Sequence, residues 1–196
     1  MSKYVLIDGE NFVHKLIICL RNYGAIKSRN GLKKIDVREL FSEKSLSIRY
    51  YATSVALPAK NHSLYKKMED IRRWNSVWVP YLLNQGIEYI KAGSLRVRDG
   101  KKCANCGRKT NVLLEKGVDV RLAIDLVDLF KKGDEVFLLS SDTDLVPAID
   151  RAIKKSVKIT YVAFDRQAVK LISKKTTKTV YLKKAEIMRA YRKAQK

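Results

Sequence analysis

Carboxylates lie just after two of the apolar runs in this sequence, and carboxylate oxygens can bind metal ions. VLIDGEN (residues 5–11) ends an apolar strand candidate at Asp8, and LLSSDTDL (residues 138–145) ends another at Asp142 and Asp144. Neighbouring strands lie about 4.8 Å apart. If these two strands are neighbours, their acids crowd together and repel one another unless a cation lies between them. Such oxygen-rich clusters suit Mg²⁺ or Mn²⁺.

Each acid also has an ordinary structural interpretation. Asp142 or Asp144 could cap the helix that begins there, and Pro147 fits the first turn of such a helix. Asp8 could be a turn residue before Gly9. One such residue alone would be weak support for a site, so the hypothesis depends on several acids converging at one place.

A third acid lies in the helical pattern EKGVDVRLAIDLVDLF, residues 115–130. On a helical wheel, Asp119 falls in the centre of the apolar side, within the first turn. Burying an unpaired carboxylate costs several kcal/mol. Asp119 is therefore expected to have a partner, which would be the helix N-terminus, a base such as Lys116, or a metal ion.

Two further acids of this helix fall on its polar side. Asp125 and Asp128 share that side with Arg121 and Lys132. At helical spacing these residues favour ion pairs on the protein surface. The sequence therefore does not assign Asp125 and Asp128 to the site.

Alternating strand and helix patterns must position these acids. Such alternation predicts parallel strands joined by helices, hence an α/β fold with three layers, α/β/α, around a mainly parallel sheet. Ligands of open parallel sheets bind beyond the carboxyl ends of the strands, where these acids emerge. Strands are predicted at residues 4–7, 47–55, 87–90 (extending to 97), 135–139, 157–163 and 179–182, and helices near 11–23, 36–43, 64–84, 117–131, 144–154, 166–174 and 184–194.

Three motifs together resemble a known family. IDGEN (7–11), EKGVDVRLAIDL (115–126) and LLSSDTDLVPAI (138–149), in this order and spacing, resemble the NYN domain of the PIN-like ribonuclease superfamily, in particular its LabA-like branch. The resemblance covers about residues 3–165. It implies a PIN-like Rossmannoid sheet and metal-dependent cleavage of RNA, with endonuclease activity expected.

The resemblance also implies which residues form the site. It assigns catalytic roles to Asp8, Asn11, Asp119, Asp142 and Asp144, and it makes Asp8, Asp119 and Asp142 the ligands of Mg²⁺ or Mn²⁺. Asn11 would position a phosphate or a metal-bound water. Asp144 would be a further ligand or would orient the attacking water.

The resemblance divides the chain into a domain and an extension. Residues 1–165 are expected to form the nuclease domain, and residues 166–196 a basic extension packed on it. The stretch 92–116, rich in Gly, Lys, Arg and Cys, interrupts the alternation and is predicted to protrude as a hairpin or knuckle.

The charge of the chain indicates a polyanionic partner. Lys and Arg number 41 against 20 Asp and Glu, and the last 46 residues contain 15 basic and 2 acidic residues. Neutralising phosphates releases counterions, so RNA is the expected partner, although a solvated lysine-rich surface is the alternative. The predicted RNA-binding residues are Lys116, Arg96, Arg98, Arg108, Lys174 and Lys175.

Aromatic residues offer a second type of contact with nucleic acid. Tyr50, Tyr51, Trp74 and Trp78 could stack on bases. Trp74 and Trp78 share one helix face, however, and for them core packing is the expected role.

The cysteines do not form a disulfide framework, because there are only three of them: Cys19, Cys103 and Cys106. KKCANCGRK resembles half of a zinc knuckle, whereas tetrahedral Zn²⁺ needs four ligands. Two chains could share one Zn²⁺, each contributing Cys103 and Cys106 within a homodimer, or the pair could remain free thiols.

The remaining features restrict location and rival functions. No apolar run approaches the roughly 18 residues of a membrane span, and the N-terminus lacks a signal-peptide pattern, so a cytoplasmic location without membrane contact is expected. The main rival function is an RNA-binding module of the same fold that does not cut. A phosphatase of the haloacid dehalogenase type would need D-x-D-x-T after the first strand, where this chain has IDGEN.

Overall fold

The computed structural model describes residues 2–27, 31–32, 34–41, 43, 45–98, 100, 102, 104–107, 110–165 and 167–195. Within these residues the fold contains seven strands and six α-helices. In chain order the elements are β1 (Lys3–Asp8), α1 (Gly9–Asn22), β2 (Ser47–Val55), α2 (Tyr65–Asn84), β3 (Glu88–Arg98), β4 (Val112–Lys116), α3 (Val118–Asp128), β5 (Glu135–Leu139), α4 (Val146–Lys154), β6 (Lys158–Phe164), α5 (Lys170–Lys175), β7 (Lys178–Leu182) and α6 (Lys184–Lys193).

The strands form one mixed, mostly parallel sheet in the order β4-β3-β2-β1-β5-β6-β7. Only β4 runs antiparallel, and it pairs with β3. The predicted α/β/α architecture with a mainly parallel central sheet is confirmed. Strands β1 and β5 are direct neighbours, with Ile7 opposite Leu139, so the residues that follow these two strands emerge side by side.

Both faces of the sheet are covered by helices, which explains why β1 is a continuous apolar run. Val5 and Ile7 pack with α1, α2 and α6 on one face. Leu6 packs with α3, α4 and α5 on the other face. All three side chains are fully buried, so the strand that delivers Asp8 is held rigidly from both sides.

Two of the predicted elements differ from the structure. The helical pattern at 36–43 forms only a 3-10 turn, Arg38–Leu40, where the Asp36 carboxylate accepts the Glu39 amide. The helix predicted at 166–174 is shorter and is α5. The stretch 92–116 forms a β-hairpin, as predicted: β3 continues to Arg98 and pairs with β4. The hairpin belongs to the edge of the sheet, and β4 as a strand was not predicted.

The C-terminal part of the chain adds to the same sheet. Strand β7 pairs with β6 from Thr160 opposite Lys178 to Phe164 opposite Leu182. Ile187 and Ala190 of α6 are fully buried. Within the described residues, no helix combines the length and apolar character needed to cross a membrane.

Candidate metal centre

A cavity of about 350 Å³ lies at the carboxyl end of β1. We call it the acidic cavity. It brings together Asp8, Asp119 and Asp142, which come from three separate parts of the sequence. Its walls are formed by Asp8, Glu10, Asn11, His14, Glu115, Val118, Asp119 and Asp142.

Asp8 forms the buried floor of the acidic cavity, with 7% of its surface exposed. Its Oδ1 accepts the backbone N–H of Asn11 at 3.1 Å, so Asp8 caps helix α1. Its Oδ2 accepts the hydroxyl of Ser140 at 3.0 Å. Burial raises the pKa of Asp8 to about 6, and repulsion by Asp119 and Asp142 adds to the effect of burial. The two hydrogen bonds act in the opposite direction.

Ser140 connects Asp8 to the loop that carries Asp142. The Ser140 hydroxyl donates to Asp8, and the Asp142 backbone N–H donates to the same hydroxyl oxygen at 3.2 Å. Asp142 caps a 3-10 turn through its Oδ1, which accepts the Asp144 N–H at 2.9 Å. Asp142 therefore has the capping role considered from the sequence, and it also lines the acidic cavity.

Asp119 lies in the first turn of α3 and is exposed. The prediction that it lies buried on the apolar side of its helix is wrong, because α3 begins only one residue earlier and its first turn stands at the margin of the core. Partial loss of hydration raises the pKa of Asp119, and repulsion and hydrogen bonding from Asp142, with further repulsion from Asp144, add to this effect.

Asn11 and Asp144 occupy different positions relative to the acidic cavity. Asn11 is half-buried and lines it from the first turn of α1. Asp144 is exposed on the 3-10 turn and does not line the cavity, although its charge acts on Asp119. The five residues predicted to form the site therefore gather around the end of β1.

Three ionisable residues of the acidic cavity were not predicted: Glu10, His14 and Glu115. Glu10 and His14 lie four residues apart on α1, and residues at that spacing share one face of a helix. The sequence therefore contained a signal that His14 lies on the same side of α1 as Glu10. Glu115 lies on β4, the strand that the sequence did not predict. Although Glu115 keeps part of its surface exposed, partial burial raises its pKa to about 7, and repulsion by Glu10, Asp8 and Asp119 adds to this effect.

Asp125 is a structural acid outside the acidic cavity. It pairs with Arg121 at 2.9 Å, as expected, but it is 3% exposed rather than on the surface. Arg49 at 3.3 Å and the Tyr51 hydroxyl at 2.9 Å complete its partners. The helical wheel could not indicate this burial, because Arg49 and Tyr51 come from the distant strand β2.

The donor set of the acidic cavity fits a hard divalent cation. Five carboxylates line it, and carboxylate oxygens are the ligands that Mg²⁺ and Mn²⁺ prefer. Each oxygen of Asp8 accepts one hydrogen bond and keeps a second lone pair for a metal. Among the described residues, no three acidic, histidine or cysteine side chains are already close enough together to hold a metal ion.

The predicted RNA-binding residues lie outside the acidic cavity. Register places Arg96, Arg98 and Lys116 on one face of the β3–β4 hairpin and Glu115 on the opposite face. Lys174 lines a separate hollow beside Asp165.

Lys175 forms an ion pair with Asp150 at 3.1 Å. Arg108 and Cys103 lie outside the described residues. Cys106 is an exposed free thiol.

Comparison with known families matches the NYN domain over residues 3–183. Comparison with curated protein sequences gave no match. Among solved structures, a protein of unknown function from Vibrio parahaemolyticus has a similar fold, with 18% identity, a TM-score of 0.52 and 93% of each chain covered. A phosphofructokinase-2 variant from Escherichia coli, at 10% identity and a TM-score of 0.35 over 88% of this chain and 56% of its own, is too distant to support an argument.

Proposed function

The chain belongs to the NYN domain family, and from this premise we propose that it is a metal-dependent ribonuclease of the LabA-like branch, cutting RNA internally. An NYN domain implies the PIN-like nuclease superfamily and suggests a nuclease-type hydrolase. The observation that carries the proposal is that Asp8, Asp119 and Asp142, from three distant motifs, line one cavity. A protein that only binds RNA gains nothing from anions gathered where phosphates would lie.

Asp8, Asp119 and Asp142 would hold Mg²⁺ or Mn²⁺ in the acidic cavity. When bound, such an ion lowers the pKa of a water molecule and neutralises charge that develops on the phosphate. Burial and mutual repulsion raise the pKa of Asp8 and of Asp119, and a divalent cation would relieve both effects. This electrostatic cost in the metal-free protein supports the assignment of these acids to a cation site.

The protein's own residues would hold the reacting groups in place. The Ser140 hydroxyl fixes the Asp8 carboxylate and anchors the backbone of Asp142, so the two acids cannot move independently. Asn11 would orient the phosphate through its side-chain amide. Asp144, beside Asp119, would orient the attacking water.

Basic residues outside the acidic cavity would hold the RNA strand. Arg96, Arg98 and Lys116 share one face of the hairpin, and Lys174 and Lys175 belong to α5. With a net charge of +21, the chain would attract phosphates over its whole surface. The acidic cavity would then be a local negative site that a divalent cation makes compatible with the scissile phosphate.

A cleavage assay tests the proposal. Single-stranded RNA blocked at both ends is incubated with the protein in Mg²⁺ or Mn²⁺, and in EDTA as the metal-free control. We expect internal cuts that require the metal and are lost in the double variant Asp8→Asn/Asp142→Asn. Asp128→Asn is the matched control, because it removes the same charge from an exposed position of α3 outside the cavity.

Two outcomes would contradict the proposal. Cleavage at the native rate by the double variant would exclude the acidic cavity as the site. Tight RNA binding with no cleavage under any divalent ion would favour the alternative function, a non-catalytic RNA-binding module of the same fold.

A further inference from the structure

A second cavity, of about 310 Å³, lies beside the acidic cavity. The two cavities share Glu10 and Glu115 in their walls. We call the second cavity the aromatic pocket, because four aromatic rings dominate it. Its defining residues are Tyr50, Trp74, Trp78, Tyr89, Thr53 and Asn75.

The rings of the aromatic pocket form two stacked pairs. Trp74 and Trp78 stack with centroids 4.9 Å apart and an angle of 22° between their planes. Tyr50 and Tyr89 stack at 6.1 Å and 18°. Trp78 Nε1 donates to the Tyr50 hydroxyl at 3.3 Å, and that hydroxyl donates to the carbonyl of Gly9 at 3.1 Å. The walls are therefore tied to each other and to the start of α1.

The backbone keeps this pocket open next to the acids. At Gly9, a Cβ atom would lie 2.6 Å from the Tyr50 ring, so only glycine allows α1 to begin against it. The pairing of β2 with β3 shifts register between Ala52 and Thr53 at the pocket wall, and the extra residue, Ala92, lies on β3. Trp74 and Tyr89 remain half-buried, so part of each ring can meet a ligand.

Polar and basic groups continue from the aromatic pocket away from the acids. Lys67 lines it and is exposed. A smaller hollow of about 190 Å³ shares Thr53, Asn75 and Tyr89 with it and adds the basic residues Arg72 and Lys91. Acids, aromatic rings and cations thus follow one another across three adjoining cavities.

We propose that the aromatic pocket binds one unpaired base of an RNA strand whose neighbouring phosphate occupies the acidic cavity. The inference rests on the proposed function for the role of the acidic cavity. Planar rings are the standard surface for stacking bases of single strands, whatever their sequence. A base held in double-stranded RNA is stacked and paired, and it cannot enter such a pocket.

The order of the three cavities matches the order of groups along a nucleotide chain. A phosphate at the cation site is followed by a base among the rings and by further phosphates near Arg72 and Lys91. The cavity volume lies at the small end of the range of about 300–1,000 Å³ for small-ligand pockets, which suits one base rather than a stacked series. Trp74 and Trp78 pack against the core, as the sequence predicts, and they also line this pocket.

Tryptophan fluorescence reports on this pocket directly, because the chain contains two tryptophans and both line it. In EDTA, the full chain is titrated with a single-stranded oligoribonucleotide, an abasic ribose-phosphate chain of equal length, and a blunt duplex. We expect the single strand to quench the fluorescence and the other two to leave it nearly unchanged. Affinities are measured in parallel from the anisotropy of labelled RNA.

Variants separate base stacking from general attraction to phosphate. Trp74→Ala is expected to weaken binding of the single strand by roughly tenfold to a hundredfold and to leave binding of the abasic chain unchanged. Trp74→Phe keeps a ring and should bind within about threefold of the native protein on the same scale. Leu83→Ala is the matched control, because Leu83 is an exposed residue of the same helix outside the pocket.

A second variant, which fills the aromatic pocket, tests the inference even if Trp74→Ala does not fold. Thr53→Phe places a ring in the pocket without removing a core aromatic. It should lower the affinity for the single strand and leave the affinity for the abasic chain unchanged. Equal quenching by the abasic chain, or native affinity in both Trp74→Ala and Thr53→Phe, would overturn the inference.

The two proposals fail in distinguishable ways, because quenching is measured without metal and needs no cleavage. Base-dependent quenching in a protein that never cuts RNA would remove the nuclease proposal and keep the pocket. Metal-dependent cleavage with an unchanged KM in Trp74→Ala would keep the nuclease and remove the pocket.

Discussion

Replacing Asp8 by asparagine is expected to stabilise the metal-free protein at pH 8. The carboxylate of Asp8 is 7% exposed, and burial disfavours its charged form, which raises its pKa to about 6. Asparagine carries no charge and has nearly the same shape. Its Oδ1 can still accept the Asn11 N–H, and its amide can donate to the Ser140 oxygen, so both contacts of Asp8 have a neutral counterpart.

The magnitude follows from the difference between the folded and unfolded pKa of Asp8. A rise from 3.8 to about 6 corresponds to about 3 kcal/mol, at about 1.36 kcal/mol per pH unit. Between these values the folded state binds more protons than the unfolded state, so the free energy of unfolding falls as pH rises. At pH 8 the charged Asp8 lowers the free energy of unfolding by the full amount, and at pH 4.5 it lowers it by about 1 kcal/mol.

Thermal unfolding in EDTA at these two pH values measures the effect. At about 2–4 °C per kcal/mol for a chain of this size, Asp8→Asn should raise Tm by about 6–12 °C at pH 8 and by about 2–4 °C at pH 4.5. Asp128→Asn, at an exposed position, should change the free energy of unfolding by less than about 0.5 kcal/mol. Destabilisation by Asp8→Asn at pH 8, or the same gain at both pH values, would refute the reasoning.

Three further predictions test the surrounding contacts. Ser140→Ala removes a buried donor to Asp8 and should destabilise the protein by about 1–3 kcal/mol at pH 8, and less at pH 4.5; a pH-independent effect in urea unfolding would contradict this. Asp125→Ala removes the acceptor of the buried Tyr51 hydroxyl and one of the two carboxylate partners of Arg49, which keeps Glu88, and should cost about 1–3 kcal/mol, opposite in sign to Asp8→Asn; an unchanged Tm would show that these contacts are not structural. Mn²⁺ competes with protons on Asp8 and Glu115, whose pKa values are raised to about 6 and about 7, so calorimetry should show Mn²⁺ affinity rising from pH 5 to about pH 7.5 and then levelling; affinity independent of pH would place the ion elsewhere.

Much of the fold follows from local sequence patterns. Strands β2 and β5 have the predicted bounds, because their apolar runs are bordered by turn or helix signals that depend on nearby residues alone. The convergence of Asp8 and Asp142 follows once β1 and β5 are neighbours, because parallel strands end at one edge of the sheet. That pairing joins segments about 130 residues apart, and from the sequence it could only be assumed.

The unpredicted features depend on contacts between distant parts of the chain. Strand β4 is only five residues long and is stabilised by its pairing with β3, so its own sequence gives little indication of a strand. Because β4 was not predicted, the position of Glu115 in the cavity wall was not predicted either. Burial of Asp125 depends on Arg49 and Tyr51 from β2. The exposure of Asp119 depends on where α3 begins relative to the edge of the core, which a helical wheel does not contain.

Diffraction at the manganese absorption edge from a crystal soaked in Mn²⁺ shows whether the acidic cavity binds a metal ion. We expect an anomalous peak in the acidic cavity, from an ion bound to carboxylate oxygens of Asp8 and Asp142, that disappears in crystals of Asp8→Asn/Asp142→Asn. A cavity without such a peak at Mn²⁺ concentrations that support RNA cleavage, or a peak that persists in the double variant, would contradict the account.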